Sequence, residues 1–293
     1  MKQKLLIFGG AGLIGSKFIE KYKDYFEIDA PTIDELDILN KPVVTEYIKN
    51  SGANLLINYA AYTDVDKAEA EKGNKEGIVY RLNSEIVKDL CEICKPLNMH
   101  YIHFSTDYVF DGEKADSPYT EEDKPNPLSW YGETKYFAEQ FILESNVKST
   151  IIRTSMPFSS HFDLKQDIAR IFLKLLKDNQ EIVAINDQMV TPVFVDDLAN
   201  ALKTLIEEKE EGIYHVVCSN YTTPFDLAKI IAEKFGLDSS LVKPTEIAEY
   251  NKTREAKRSK YGWMSVKKFE NRFGKGILHS VEESIDLFKQ QIV

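Results

Sequence analysis

The sequence predicts a doubly wound α/β fold: a Rossmann-like parallel sheet with helices on both faces, followed by a smaller C-terminal α/β lobe. Three observations carry this. Short apolar runs alternate with amphipathic stretches through the first half, the first run opens into a glycine-rich turn, and 293 residues suffice for two lobes. A strand that hands over to a crossover helix returns parallel to itself, so the alternation fixes the strand direction.

Element by element, KLLIFGG reads as the first strand and GLIGSKFIEKYK as the first helix. YFEID and PVVTEYIKN follow as a second pair, then LLINYAA and a long polar segment that runs into the helix IVYRLNSEIVKDLCEICKPL. The strand YIHFSTDYVF, the helix around SWYGETKYFAEQFILE and the strand STIIRTS bring the count to six strand–helix units by Ser155. Beyond it come helices at IARIFLKLLKD, DDLANALKTLIEE, PFDLAKIIAEKFG and SVEESIDLFKQQ, with short strands at EIVAI and GIYHVV. The boundary therefore falls between 1–155 and 156–293, with some elements of the second part returning to the first. No sharp linker separates them, which predicts an intimate interface. The stretch Lys243 to Gly262, rich in charge and interrupted by Pro244, is expected to be an irregular substrate loop.

Composition narrows the function. The formal charge of −10 comes from acidic residues spread along the chain, with no Lys/Arg run able to track a phosphate backbone, so nucleic acid is a poor partner. No apolar stretch approaches the roughly 20 residues a membrane span requires. The start MKQKLLIFGG lacks a small-residue cleavage site and reads as a strand. Three cysteines suit a reducing compartment, and a cytoplasmic location is expected. Cys91 and Cys94 lie in a helix with no second pair to complete a zinc site, and the five histidines lack ligand spacing, so no catalytic metal is expected. The Leu- and Phe-rich face of IARIFLKLLKD suits either a core or a homodimer contact.

Gly9, Gly12 and Gly15 form Gly-x-x-Gly-x-x-Gly at the junction of the first strand and helix. There glycines allow a tight turn and let a pyrophosphate approach the helix N-terminus, where unpaired N–H groups favour negative charge. Residues 1–155 are thus expected to bind a dinucleotide, and 156–293 mainly a substrate. Asp29 ends the second strand about twenty residues on, placed to accept hydrogen bonds from an adenosine ribose and to repel a 2′-phosphate. With no arginine before Arg81, this leans slightly towards NADH over NADPH.

Tyr131 and Lys135 stand four residues apart, on one face of a helix. Reducing a ketone requires a proton for the developing alkoxide, and an ammonium beside a phenol draws its high pKa down. Lys135 is expected to do this while holding the nicotinamide ribose. Thr106 and Asp107 fall at the carboxyl end of their strand, the edge where open parallel sheets bind ligands. Singly, each has a plainer reading: a surface aromatic, a lysine paired with Glu139, a strand-end turn residue. Their order behind the glycine turn favours a site.

In these segments the chain resembles the extended short-chain dehydrogenases and, within them, the dTDP-4-dehydrorhamnose reductase family: IFGGAGLIGS, ELDILN, LLINYAAYTDVDKAEAE, FSTDYVFDG, PYTEEDKPNPLSWYGETKYFAE, IIRTS and INDQMVTPVFVDDLANAL. The resemblance implies a reductase acting on a keto group of a nucleotide-activated sugar, with Tyr131 the acid, Lys135 its modulator and Thr106 orienting the carbonyl beside Asp107. It implies that Leu13 and Ile14 flank the glycines at the cofactor, that Asp37 and Ile38 meet the adenine, that Ala60 and Ala61 line the cofactor cleft, and that Tyr108 faces the sugar. Two departures stand out. Met156-Pro157-Phe158 replaces the usual aromatic Trp after IIRTS, and Arg258-Ser259 replaces an Arg-Pro pair, so Met156 and Arg258 are expected at a hexose that differs from the family's reference substrate or whose ring sits differently. A sugar-nucleotide epimerase shares the glycine turn and the Tyr–Lys pair. A dehydratase is disfavoured because Tyr108, not Glu, follows Asp107. A non-catalytic relative, similar to the regulatory subunit of methionine adenosyltransferase, is the reading from another class.

Overall fold

The computed structural model describes residues 2–292. The first half contains β1 (Lys4–Phe8), α1 (Leu13–Tyr22), β2 (Glu27–Asp29), α2 (Lys41–Ser51), β3 (Leu55–Asn58), α3 (Val65–Glu69), α4 (Ile78–Tyr80), α5 (Ile86–Cys94), β4 (His100–Thr106), α6 (Trp130–Ser145) and β5 (Ser149–Thr154). The second contains β6 (Pro157–Phe158), α7 (Ile168–Lys177), β7 (Ile182–Ile185), β8 (Val193–Phe194), α8 (Val195–Glu207), β9 (Gly212–His215), α9 (Pro224–Phe235), β10 (Val242–Thr245), α10 (Ile247–Lys252), α11 (Lys267–Phe273) and α12 (Val281–Ile292).

Six strands form one parallel sheet in the order β2-β1-β3-β4-β5-β9. Successive side chains of a strand point to opposite faces, and both faces are covered here. Leu5 and Ile7 of β1 enter one buried cluster with Phe18 and Leu202, while Leu6 and Phe8 enter another with Val44, Ile48 and Leu90. The strand order reverses between β1 and β3, and such a switch point opens a crevice at the carboxyl ends of the strands.

Five of these strands, not six, precede Ser155; the sixth, β9, arrives from the second half and pairs with β5. Helix α8, also from the second half, lies against α1, where the Tyr22 hydroxyl donates to Asn200 Oδ1 at 2.7 Å. Of the rest, α7, α9 and α12 build a separate cluster over two two-stranded sheets, β10-β7 and β6-β8, while Phe269 of α11 joins the cluster of Leu5 and Ile7. The apolar face of α7 is spent there, since Ala169, Phe172, Leu173 and Leu176 are core.

The stretch from Lys243 is more regular than expected. Pro244 sits in β10, an edge strand that tolerates a missing N–H, and α10 follows directly. Cys91 and Cys94 are buried in α5. The helix predicted through IVYRLNSEIVKDL contains a π-helical turn at Arg81–Glu85 that was not legible in the apolar pattern. It turns Asn83 and Ser84 inward. Asn83 accepts from the Tyr62 N–H at 2.7 Å and donates to the Thr134 hydroxyl at 3.1 Å, and Ser84 donates to the Thr134 carbonyl at 2.7 Å.

Candidate active site

The crevice at the switch point is a cleft of about 580 Å³. Its floor is the glycine turn, Gly9 to Gly15. Gly9 has φ of +72°, and a Cβ there would lie 2.5 Å from the Ala60 nitrogen, so only glycine permits the close approach of β1 and β3. Helix α1 begins without a side-chain cap or an acidic residue in its first turn, and Leu13, Ile14 and Gly15 line the cleft. Its unpaired N–H groups thus open into the cavity, which fits an anionic pyrophosphate.

The opposite wall is built by β4 and α6. Ser129 caps α6 by accepting from the Gly132 N–H at 3.3 Å, and the Trp130 N–H donates to Glu69 at 2.8 Å, tying the helix start to α3. Gly132 packs against the Tyr108 carbonyl so tightly that a Cβ would come within 2.2 Å of it. That contact sets Tyr131 beside the end of β4, edge-on to the Tyr108 ring at 5.5 Å between centroids. Thr106, Asp107, Tyr108, Tyr131, Lys135 and Met156 all line the same cleft as Gly9, Gly12, Ala60 and Ala61. Met156 holds a left-handed φ of 41°, uncommon for a non-glycine residue and frequent at functional sites.

Electrostatically the site differs from expectation. The Tyr131 phenol is pushed up to about 12 by burial, with the Thr106 hydroxyl drawing it partly back. Lys135 does not oppose this, because its amine sits 3.1 Å from His103 Nε2 and is itself pushed down to about 7 by burial, against the Glu139 charge. The expected lowering of the phenol by Lys135 is therefore not found; burial outweighs it. Burial also raises Asp107 to about 6, while the Ser155 and Thr106 hydroxyls pull it down. Thr106 donates to Asp107 Oδ1 at 3.0 Å and accepts from the Tyr108 N–H at 3.3 Å.

Four expected residues lie outside the cleft lining. Asp29 accepts from the Tyr47 hydroxyl at 2.8 Å. Asp37 accepts from the Leu39 N–H at 2.9 Å in its own turn, and Ile38 packs against the cluster under α2 and α5. Arg258 forks onto Asp66 at 2.9 and 2.8 Å, a pairing across 192 residues that pins the C-terminal segment to α3.

Conversely, Phe162, Lys165, Gln166 and Asp167 border the cleft from the segment before α7, which carried no recognisable pattern. Glu139 pairs not with Lys135 but with Arg153, at 2.9 and 2.6 Å, and accepts from Ser105 at 2.5 Å; Glu139 and Arg153 are both 1% exposed. An arginine inside the apolar strand IIRTS and a histidine inside YIHFS were the available signals, since a charge or an imidazole in a buried strand requires a partner.

Residues 3–291 match the family described as the RmlD substrate binding domain. The chain belongs to this family. Among relatives of this RmlD-family chain, the dTDP-4-dehydrorhamnose reductase of Aggregatibacter actinomycetemcomitans is 32% identical over 92% of the chain and 93% of the relative. The spore coat polysaccharide biosynthesis protein SpsK of Bacillus subtilis is 30% identical over 85% and 86%. The crystal structure of dTDP-4-dehydrorhamnose reductase from Bacillus anthracis in complex with NADP superposes with a TM-score of 0.90 at 27% identity, covering 99% of this chain and 100% of that one. These likenesses run through both lobes, so the RmlD-family fold accounts for the returning β9 and α8 as well as the sheet.

Proposed function

We propose that this chain reduces the 4-keto group of a nucleotide-activated 6-deoxy sugar using NAD(P)H, a step of deoxysugar and cell-surface polysaccharide biosynthesis. One observation carries the reading: a single cleft is bordered at one end by an uncapped helix start behind three glycines and at the other by Thr106, Tyr131 and Lys135. Relatives matched over nearly their whole length are named dTDP-4-dehydrorhamnose reductase, which supports this reading.

Gly9, Gly12, Leu13, Ile14 and Gly15 hold the pyrophosphate of the dinucleotide, with Ala60 and Ala61 walling its cleft. Bound there, the reduced nicotinamide supplies a hydride to the carbonyl carbon. Tyr131 protonates the oxygen. A phenol that holds its proton up to about 12 is fully loaded at neutral pH, and an alkoxide is basic enough to take that proton. Thr106, which donates to Asp107 at rest, turns its hydroxyl to the carbonyl and orients it. Lys135 holds the nicotinamide ribose and Tyr108 and Met156 border the hexose, while Asp29, outside the cleft lining and held through Oδ1 by the Tyr47 hydroxyl, offers its second carboxylate oxygen to the adenosine ribose, the basis of the slight lean to NADH.

The test follows NAD(P)H absorbance with dTDP-, GDP-, UDP- and CDP-linked keto-sugars for the wild type and Tyr131→Phe. Stoichiometric cofactor consumption is expected with at least one sugar, whereas an epimerase recycles its cofactor within each turnover. In the variant, dinucleotide binding survives and turnover falls at least about a hundredfold, the usual loss of a general acid. Undiminished turnover in Tyr131→Phe removes the phenol from the chemistry.

A further inference from the structure

Beneath the cleft, Lys135 is the end of a buried chain of polar groups that runs under the sheet towards the glycine turn. Its amine lies 3.1 Å from His103 Nε2, His103 Nδ1 lies 3.2 Å from the Tyr101 hydroxyl, and that hydroxyl lies 3.3 Å from Asn58 Nδ2. Lys135 is 2% exposed, Asn58 is 1% exposed, and His103 and Tyr101 are fully buried. The geometry points to His103 as a positioning residue that holds Lys135 and reverses its own tautomer with the charge of that amine.

Donor and acceptor accounting fixes the direction. Asn58 Oδ1 accepts the Ala60 N–H at 3.0 Å, so the other end of the amide, its NH₂, faces Tyr101 and donates to it. The Tyr101 proton then has one acceptor within reach among the described residues, His103 Nδ1. That requires the proton of His103 on Nε2, directed at an uncharged Lys135 amine. An ammonium at Lys135 demands the reverse: a bare Nε2, a proton on Nδ1, and a Tyr101 hydroxyl proton left without a partner. The chain is thus complete for the neutral amine and one bond short for the ammonium.

The ionisable surroundings agree. Glu139 on α6 favours the ammonium but is committed to Arg153, Asp107 beyond β4 is engaged by Thr106, and Tyr131 is a neutral phenol. Cys91 and Cys94 of α5, near Tyr101, are neutral thiols in a buried site. Burial holds His103 itself well below the usual imidazole range, with Lys135 adding to the shift, so the ring stays neutral and answers by moving its proton from one nitrogen to the other.

This deepens the reductase reading, since it assigns what sets the charge of the lysine that would hold the nicotinamide ribose, but the test needs no turnover. Long-range ¹H–¹⁵N spectra of ¹⁵N-histidine-labelled full chain, with His103 assigned from His103→Gln, report its tautomer across pH. The expected result is an Nδ1–H tautomer at low pH converting to Nε2–H with a midpoint near that of Lys135. In Lys135→Met the conversion is absent. In Tyr101→Phe, which deletes the stranded hydroxyl and keeps the ring, the midpoint moves to higher pH. A single tautomer throughout, a conversion that persists in Lys135→Met, or an unmoved midpoint in Tyr101→Phe overturns the inference. Failure of the reductase assay with wild-type tautomer switching intact would fault the proposed function and leave this chain of contacts standing.

Discussion

Gly132→Ala is the sharpest probe of how this fold sets its chemistry, because two effects of the same methyl group oppose each other. Alanine favours a helix over glycine by at most about 1 kcal/mol, and Gly132 lies in the first turn of α6. Against this, the added Cβ would sit 2.2 Å from the Tyr108 carbonyl oxygen and 3.1 Å from Pro127 Cβ, where ordinary contact begins at 3.4 Å. Both close neighbours are stiff, one a backbone carbonyl and the other a proline ring. The helix start and the Tyr108 segment therefore have to part by about 1 Å, and overpacking of this kind costs about 1–3 kcal/mol. The steric effect wins, so urea unfolding shows net destabilisation of about 1–2 kcal/mol. Activity loses more than stability. Tyr131 adjoins the displaced residue, and a misplacement of about 1 Å in a reacting geometry costs on the order of a hundredfold in rate. The assay is NAD(P)H consumption at saturating sugar, paired with dinucleotide binding, which the variant retains because the pyrophosphate contacts lie on the glycine turn at the other end of the cleft. A Gly132→Ala protein at least as stable as wild type and equally fast would show that the Tyr108 contact does not place the phenol.

Lys135→Met stabilises the protein at pH 6 by about 2–4 kcal/mol: bringing the amine from its ordinary 10.5 to about 7 represents roughly 5 kcal/mol of disfavoured charge, less the roughly 1–3 kcal/mol that His103 loses with its partner. The native state binds fewer protons than the unfolded chain between about pH 7 and 10.5, so the wild type gains stability as pH rises through that window and the advantage of the variant shrinks; unfolding curves at pH 6 and 9.5 with an unchanged gap would refute this. Glu139→Gln leaves Arg153 buried beside a neutral amide and lowers unfolding free energy by about 3–5 kcal/mol, whereas replacing both partners with apolar residues costs less than the two singles together; a single-variant cost below about 1 kcal/mol contradicts the buried-pair assignment. On the proposal that Asp29 meets the adenosine ribose, turnover at equal cofactor concentration favours NADH modestly; a strong NADPH preference defeats that assignment.

What could be read from the sequence was whatever rests on local periodicity and backbone need. The strands β1 to β5 and the glycine turn follow from apolar runs and from positions that no side chain can occupy, as Gly9 demonstrates with its 2.5 Å clearance to Ala60. Tyr131 and Lys135 share a helix face because four residues make about one turn. Long-range pairings were not legible. Nothing local says that β9 enters the main sheet beside β5, that Arg258 pairs with Asp66, or that Glu139 chooses Arg153 over the lysine one turn before it. Those choices depend on which elements become neighbours. The pKa values failed for the same reason: proximity in sequence suggested that Lys135 would lower the phenol, while burial, a property of the whole fold, raised it.

That reversal bears on the direction of the chemistry. Oxidation of an alcohol needs a base at the phenol position, and a phenol that keeps its proton up to about 12 is seldom available as one near neutrality. Reduction needs the opposite, an acid that is always loaded and meets a stronger base only when the alkoxide forms. A lysine at about 7 imposes little positive charge above that pH and so leaves the phenol protonated, while below it the ammonium eases the departure of the proton. The resting site is therefore arranged for delivering a proton rather than collecting one. It follows that alcohol oxidation by this chain should rise steeply with pH, towards the range where Tyr131 ionises, while keto reduction should not. Parallel pH profiles of the two directions at neutral to alkaline pH would reveal it, and superimposable profiles would mean that a group other than Tyr131 handles the proton.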